Sequence, residues 1–518
     1  MGFLVPPTRS GRPRGLPALI ETEATEKIGS HYKAHRAKTA STTSCDVEVK
    51  IPNRGSARSI PIGTGRSRRY LARPGKSGQH LGGRLELSCR YPTVSVVVHR
   101  YVLGMEPLET TGDFWSPDNP AKRVPGILTR EPGSRARLTL KTRVIDELAA
   151  PLEVTGTGAS ITHSGDPGRI VADGVPRVLL GDTSEGPVTC VDSYLQHPPT
   201  NGFDVAAMFQ QVWDPYTLIV GAHLPTGRAA TLDAVRFIID SPGWWTQLPD
   251  AGSATSAAGK VVCERGDDKL MWLEFRPSFT LRLRSADRAV RSVMTLMKLA
   301  VDVDLTPLCI QVRETAQGDW LDVKTRNQDP SKTSWPDHHN LLPPSSVTLE
   351  RIAEWLAIEQ TMDGLAAAAA NPVEKEAIQV QGVVACSLIE GIHKRIVDAR
   401  EMHYVKRARA LHETALRIDP EITKPVDKWP ELVKEARNDL AHHNTGRPFE
   451  EQVYNWMIAE SSVIWVLRLC LLSHAGFTDQ EIAEALSDHQ RYKFYRENLK
   501  MHVKERSDEQ AALSTGAL

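Results

Sequence analysis

The chain has 518 residues with 63 Lys+Arg and 63 Asp+Glu, so its formal net charge at pH 7 is zero. Its length predicts about two to four folded units rather than one core. Seven scattered cysteines without a C-x-x-C pair argue against a zinc ribbon and a disulfide framework, and they favour a reducing compartment.

The charge is distributed unevenly along the chain. Residues 1–104 hold 18 basic and 6 acidic side chains, whereas the remaining residues hold 45 and 57. The N-terminal segment is rich in Arg, Gly, Pro and Ser and shows little periodicity, which predicts a disordered basic extension. Such a tail could bind RNA nonspecifically. The alternatives are an extension without a fold, or a misplaced start codon, because Met105 directly precedes the organised part.

Residues 105–330 predict a β-rich domain. Strict alternation of apolar and polar residues marks Arg137–Val144 as a strand, and Gly112–Asp118 is a turn-rich aromatic patch. We expect the tryptophans here to pack in and around the core. Further strands are predicted at 126–128, 177–180, 217–221, 235–239, 270–275, 279–283 and 305–312.

A polar, proline-containing linker follows at 331–344, and helices follow the linker. The adjacent His338 and His339 lack the partners of a metal site, so we interpret them as loop residues. Apolar stripes and capping signals over residues 345–503 predict an all-α bundle, with a tail at 504–518. The predicted fold class is therefore α+β multidomain, with the disordered basic extension, the β-rich domain and the helical bundle in that order.

No membrane segment is expected. The most apolar window, 463–467, is far shorter than a membrane span, and the N-terminus lacks an apolar stretch followed by a cleavage site. The sequence therefore predicts a soluble cytoplasmic protein.

One helix carries the chemistry that we single out. Glu435–His442 reads EARNDLAH and places Arg437, Asn438 and His442 at the predicted end of a helix that begins at Trp429. A guanidinium binds a phosphate through a planar fork, and an imidazole near neutral pKa transfers protons. The spacing alone is not specific, because Arg407 and His412 have the same spacing on what we interpret as an ordinary exposed helix.

Two segments make the chain resemble the ApeA family of bacterial anti-phage abortive-infection proteins. TGDFWSPDNPAKRVPGILT (Thr111–Thr129) looks like the opening of the ApeA N-terminal domain. EARNDLAHHNTG (Glu435–Gly446) looks like the R-x(4–6)-H motif of HEPN ribonuclease domains. The resemblance spans about residues 105–500 and is weak in the middle. Residues 1–104 have no recognised counterpart.

The resemblance implies a homodimeric, metal-independent endoribonuclease without a cofactor, with tRNA anticodon loops as substrate. The family's catalytic Arg and His map to Arg437 and His442, and its polar residue maps to Asn438; His443 offers an alternative register. His442 would deprotonate a ribose 2′-hydroxyl, and Arg437 would stabilise the charge on the attacked phosphorus. DNA lacks that hydroxyl, so the chemistry restricts the substrate to RNA.

Several other residues are candidates for RNA contact. Glu390, Lys394 and Arg395, together with the basic run Arg400, Lys406, Arg407 and Arg409, either line an RNA path or form solvated helix faces. Because five residues turn an ideal helix by about 500°, Arg437 and His442 would lie about 140° apart. One site would then need a distorted helix end or residues from two subunits. The apolar segments 388–396 and 463–472 are candidates for the dimer contact.

Three alternatives compete with the nuclease. Arg437 could simply pair with Glu435 or Asp439, and the histidine could interact with a helix C-terminus. The bundle could also be an inactive HEPN module that binds a nucleotide or a partner. Finally, residues 476–486 look like the first helix of a helix-turn-helix, although no turn of small residues follows them. A ribonuclease of this kind would be toxic if it were always active, so we expect the β-rich domain to sense an unidentified, phage-derived trigger or to restrain the bundle.

Overall fold

A computed structural model shows a β-rich region followed by helices. It describes residues 107–145, 153–155, 158–160, 175–196, 210–239, 248–249, 251–266, 270–328, 340–372, 376–441 and 447–515. All of them belong to one compact unit, residues 91–518. The predicted extension 1–104, His338, His339, His442 and His443 lie outside the described residues.

The strands and helices are numbered here in chain order. The strands are β1 Leu108–Ser116, β2 Asn119–Arg130, β3 Arg137–Leu140, β4 Glu153–Thr155, β5 Gly158–Ser160, β6 Arg177–Thr183, β7 Gly186–Gln196, β8 Gln211–Val220, β9 Thr231–Leu232, β10 Ala234–Ile239, β11 Ala251–Ser256, β12 Gly259–Arg265, β13 Met271–Pro277, β14 Leu281–Arg282, β15 Pro307–Arg313 and β16 Leu321–Thr325. The helices are α1 Leu283–Val301, α2 Leu349–Met362, α3 Leu365–Ala370, α4 Ile378–Ile396, α5 Tyr404–Ile418, α6 Trp429–Ala441, α7 Phe449–His474, α8 Asp479–Asp488 and α9 Gln490–Thr515.

Six antiparallel strands close into a barrel. Its circular order is β1-β2-β3-β8-β7-β6, and the pairing of β7 with β8 completes the ring. Closure leaves none of the six strands as a free edge along its whole length. The sheet then continues from β8 through β16, β15, β10, β13 and β12 to β11.

The barrel interior follows the alternation that is visible in the sequence. Leu138 and Leu140 are fully buried, and the intervening residues of β3 face outward. Leu138 and Leu140 pack in one cluster with Phe114. The structure places Phe114 in strand β1, just before a shift in its register with β2, rather than in the expected turn-rich patch. Gly181 faces this ring, and a Cβ there would overlap Phe114, so the aromatic core requires glycine at this position.

The extension of the sheet packs against α1, a helix that the periodicity analysis did not find. One face of α1 is buried, including Val290, Val293, Leu296 and Met297. The sequence predicted a strand at 279–283, and the structure has only the two-residue β14 there before the helix begins. The reason is that an apolar segment of this length fits both a strand and a buried helix face.

The helical region packs directly on the β-rich region through α1. The Trp355 indole of α2 donates to the Ser292 carbonyl at 2.9 Å. The guanidinium of Arg468, in α7, donates to the Leu299 carbonyl at 2.8 Å and pairs with Asp302 at 3.1 Å. Burial alone would raise the pKa of Asp302, but His489 and the charges of Arg468 and Arg491 hold this pKa well below its usual range. These contacts couple the two regions mechanically.

The predicted fold class is confirmed: a β-rich region precedes a helical region. Helix α7 is long and apolar enough to span a membrane by length and composition alone, but most of its apolar window is buried inside the protein. Core helices of soluble proteins share this property. Helix α9 continues to Thr515, through residues that the sequence analysis assigned to a tail.

The two apolar segments expected at a dimer contact are mostly buried within one chain. Leu388, Ile389 and Ile392 of α4 are buried within one chain, as is nearly every apolar residue between Val463 and Leu472 of α7. The physical reason is that α7 contacts α1, α4, α5, α6 and α9 at once, so its apolar surface is consumed by the core of a single chain. We expected segments 388–396 and 463–472 to have more apolar surface than one bundle buries, and this expectation is wrong.

Candidate functional site

Helix α6 presents Arg437 at the edge of its buried face. Trp429, Leu432, Val433 and Ala436 recur at helical spacing and are all buried. The indole of Trp429 donates to the Ser462 hydroxyl of α7 at 2.7 Å, which fixes the two helices against each other. Arg437 follows Ala436 directly and is half-buried.

The Arg437 guanidinium lies over an aromatic ring. Its Cζ atom is 5.1 Å from the centroid of the Tyr404 ring, at the start of α5. This is within the range of a cation–π contact. The Tyr404 hydroxyl donates to the Cys386 carbonyl of α4 at 2.8 Å, and burial raises the pKa of this phenol above its ordinary value. Three helices thus meet around Arg437.

The carboxylates that could neutralise Arg437 pair with other cations. Arg447, just before α7, contacts Glu435 at 2.9 Å and the buried Asp439 at 3.4 Å. Among the residues that the structure describes, no carboxylate lies within 4.0 Å of the Arg437 guanidinium and no hydrogen bond engages it. The alternative in which Arg437 pairs with Glu435 or Asp439 is therefore wrong in this structure.

Two further sets of predicted site residues lie in the described part of the chain: Asn438, and the pair Glu390 and Lys394. Asn438 is half-buried beside Arg437, and its side chain makes no hydrogen bond to the described part of the chain. Glu390 and Lys394 pair with each other on α4 at 3.2 Å, and Glu390 is close enough to Tyr404 to contribute to the raised pKa of the phenol. The structure describes α6 as far as Ala441, and His442 lies outside the described residues, so the angle between Arg437 and His442 stays a prediction.

The second Arg–His spacing is not an exposed helix. Arg407 is fully buried, and its guanidinium donates to the Arg400 carbonyl at 2.9 Å and to the Met402 carbonyl at 3.2 Å. It also lies 3.2 Å from Nδ1 of His393. Arg407 therefore holds the connection between α4 and α5 together and cannot line a surface RNA path. The interpretation of this segment as an ordinary exposed helix is wrong, because one of its several basic residues, Arg407, faces inward.

His412 and His393 are both held in an environment that disfavours their charged forms. Burial lowers the pKa of His412 to about 4, and its ring stacks at 30° on Trp429 with centroids 4.7 Å apart. Burial, with a smaller contribution from the Arg407 charge, lowers the pKa of His393. Neutral imidazoles in these positions pack as part of the core.

The remaining basic side chains around α5 are mostly engaged with acids. Arg400 pairs with Asp398 at 2.6 Å, Arg409 with Glu431 at 2.9 Å, and Arg395 with Asp363 at 2.9 Å. Such pairs at the surface exchange readily and contribute little to stability. Arg437, by contrast, has no ion pair to a described carboxylate.

Sequence reasoning missed three residues of this neighbourhood. Nothing in the sequence pairs Tyr404 or Arg447 with α6, since both contacts depend on how the helices are arranged. Asn455 of α7 did carry a signal, because it is a polar residue on an apolar helix face. It is fully buried, and neither atom of its amide has a hydrogen-bond partner. It lies two turns from Ser462 on the same face, toward the α6–α7 connection.

The described residues contain no group of three or more His, Cys, Asp or Glu side chains that could hold a metal ion. The five described cysteines are free and buried, which agrees with the expected absence of a disulfide framework in this part of the chain. Helices α8 and α9 are separated by the single buried residue His489, and α9 packs Tyr492, Tyr495 and Leu499 into the core. This arrangement does not favour a helix-turn-helix.

Comparisons with known proteins identify one domain. Residues 109–271 match the family model described as ApeA N-terminal domain 1, which supports an ApeA-like protein. The matched segment covers the barrel and continues into the extended sheet as far as Met271, the first residue of β13, and it ends before the helices that carry Arg437. No curated protein and no solved structure gave a significant match.

Proposed function

We propose that the chain is a metal-independent endoribonuclease of HEPN type that acts in anti-phage defence. The defence context is supported by the ApeA N-terminal domain 1 match at residues 109–271. The observation that supports the catalytic proposal is the side chain of the half-buried Arg437, which has neither an ion pair nor a hydrogen bond to the described residues and can therefore offer its N–H groups to a phosphate.

The chemistry follows from the residue types at the end of α6. His442 removes the proton from a ribose 2′-hydroxyl, and the oxygen attacks the adjacent phosphorus while the 5′-oxygen of the next nucleotide leaves. Arg437 stabilises the negative charge that builds on the phosphoryl oxygens, and Asn438 orients a phosphate or the imidazole. His443 takes the place of His442 in the alternative register. The proposed substrate is the anticodon loop of tRNA.

The β-rich region would control this activity. It reaches the helices through α1, where Asp302 contacts Arg468 of α7. The other end of α7 begins next to Arg447, which pairs with two acids of α6. A shift of α1 that a phage-derived trigger induces would therefore be passed along one rigid helix to the neighbourhood of Arg437.

The deciding experiment is to identify the RNAs that are cut when the chain is expressed. End-mapping of RNA from infected and uninfected cells makes the comparison. We expect new 5′ ends in the anticodon loops of a subset of tRNAs. Arg437→Ala expressed to the same level should give none of these ends. Cleavage that persists unchanged in Arg437→Ala would contradict the proposal, and intact RNA in every sample would favour an inactive HEPN module.

A further inference from the structure

The contact between Arg437 and Tyr404 has a geometry that suits a positioning function. All five N–H donors of a guanidinium lie in its plane. When a guanidinium stacks on an aromatic ring, its edge stays free to bind a planar oxyanion. Arg437 has its Cζ 5.1 Å from the Tyr404 centroid, and no described residue accepts a hydrogen bond from it.

Tyr404 is itself held in place from two sides. Its hydroxyl donates to the Cys386 carbonyl at 2.8 Å, in the middle of α4. Its backbone follows the connection between α4 and α5, where the buried Arg407 binds the carbonyls of Arg400 and Met402. The ring is therefore a fixed surface, whereas the side chain of Arg437 has several rotatable bonds and would sample many rotamers without it.

We infer that Tyr404 is a positioning residue for the proposed ribonuclease, holding the Arg437 guanidinium with its donor edge toward the scissile phosphate. This inference rests on the proposed function. Tyr404 lies outside the R-x4-H motif. By restricting the rotamers of Arg437 in advance, it reduces the conformational entropy that Arg437 loses when the charged transition state forms. The nearby Glu390 does not compete for Arg437, because it is paired with Lys394 at 3.2 Å.

The expected size of the effect follows from the contact. A cation–π contact at a partly exposed site contributes about 0.5–2 kcal/mol, which corresponds to roughly a 2- to 30-fold change in rate. Because the ring acts on transition-state stabilisation, the loss should fall on kcat. KM should stay within about twofold, since ground-state RNA binding depends on many phosphate contacts.

The test is a series at position 404 that keeps the shape of the ring and changes its charge distribution. Tyr404→Phe removes the hydrogen bond to Cys386 and keeps the ring face. Replacing that phenylalanine by mono-, di- and trifluorinated phenylalanine weakens the negative face of the ring stepwise. We expect log kcat on an anticodon stem-loop to fall steadily along the fluorinated series, while KM and the melting temperature change little.

A matched control comes from Tyr495. Its hydroxyl also donates to a backbone carbonyl, that of Ile422 at 2.7 Å, and its ring is buried against Trp465. The same fluorinated series at position 495 should leave kcat unchanged. A flat kcat along the series at 404, together with an inactive Arg437→Ala, would overturn the inference and leave the proposed function standing. Full activity in Arg437→Ala would overturn both.

Discussion

Arg447 and Glu435 form an ion pair of 2.9 Å across the connection between α6 and α7. The pair occupies the carboxylate that lies two residues before Arg437. It also brings the end of α6 and the start of α7 together on either side of residues 442–446. Glu435 is therefore already paired, whereas no ion pair joins the Arg437 side chain to the described residues.

The first prediction concerns the catalytic pair. Arg437→Ala and His442→Ala should each abolish RNA cleavage without lowering the melting temperature by more than a few degrees, because the Arg437 side chain makes no hydrogen bond to the described residues. The matched controls are Arg409→Ala and His474→Ala, two exposed side chains elsewhere in the bundle, and both should cleave normally. Loss of activity only in His443→Ala would assign the base to the alternative register.

The second prediction concerns the products. Attack by a 2′-hydroxyl leaves a 2′,3′-cyclic phosphate, or the phosphate that forms when the ring opens, on the upstream fragment. We expect EDTA to have no effect on the rate, since neither the base nor the charge stabiliser in the proposal is a metal ion. End-labelling and mass spectrometry of the fragments measure this. Fragments that end in a 3′-hydroxyl, or cleavage that strictly requires Mg²⁺, would refute the mechanism.

The third prediction separates Arg407 from Arg437. Arg407→Ala should lower the free energy of unfolding by about 3 kcal/mol, because it removes a fully buried side chain and leaves the partly buried carbonyls of Arg400 and Met402 without their donor. Denaturant titration measures the change, and Arg409→Ala on the same helix serves as the control, with an expected change below about 0.5 kcal/mol. A stable Arg407→Ala protein would mean that water replaces the guanidinium without cost.

The fourth prediction is a pH dependence of stability. Burial lowers the pKa of His412 to about 4 in the folded chain, against about 6.5 in the unfolded chain. The unfolded state therefore binds the proton more tightly, so the stabilisation is complete above pH 6.5 and is lost as the pH falls toward 4. The loss should reach at most about 3 kcal/mol from this group.

The variant His412→Gln should show a weaker decline in stability between pH 7.5 and pH 5 in denaturant titrations. His403→Gln, at an exposed position, should follow the unmodified protein across the same range. An unchanged pH profile in His412→Gln would show that the ring is not the group that titrates.

The fifth prediction is a composite site. One Arg and one His offer few contacts for a whole phosphodiester, and a two-fold axis would supply two of each in one cleft. Mixed Arg437→Ala and His442→Ala chains should therefore recover part of the activity when one chain's arginine serves the other's histidine. Activity and mass measured across a dilution series test this, and a fully active monomer would exclude the shared site.

The sequence by itself determined the order of the regions and much of their local structure. Alternation marked β3, the capping box of Thr478 and Glu481 marked the start of α8, and Trp429 marked the start of the helix that carries Arg437. These features are local, since a strand face repeats every two residues and a helix face every 3.6. The residue types at 435–446 favour binding and cleavage of a phosphodiester, which stays a prediction.

Only the tertiary structure decided which of the two arginines, Arg407 or Arg437, is buried. Arg407 and Arg437 look alike in sequence, yet one faces the carbonyls of the α4–α5 connection and the other faces Tyr404 at the edge of the bundle. That difference depends on the packing of α4, α5 and α6 and on the pairing of Arg447 with Glu435 and Asp439. Spacing along one helix cannot encode it, because the partners come from other helices.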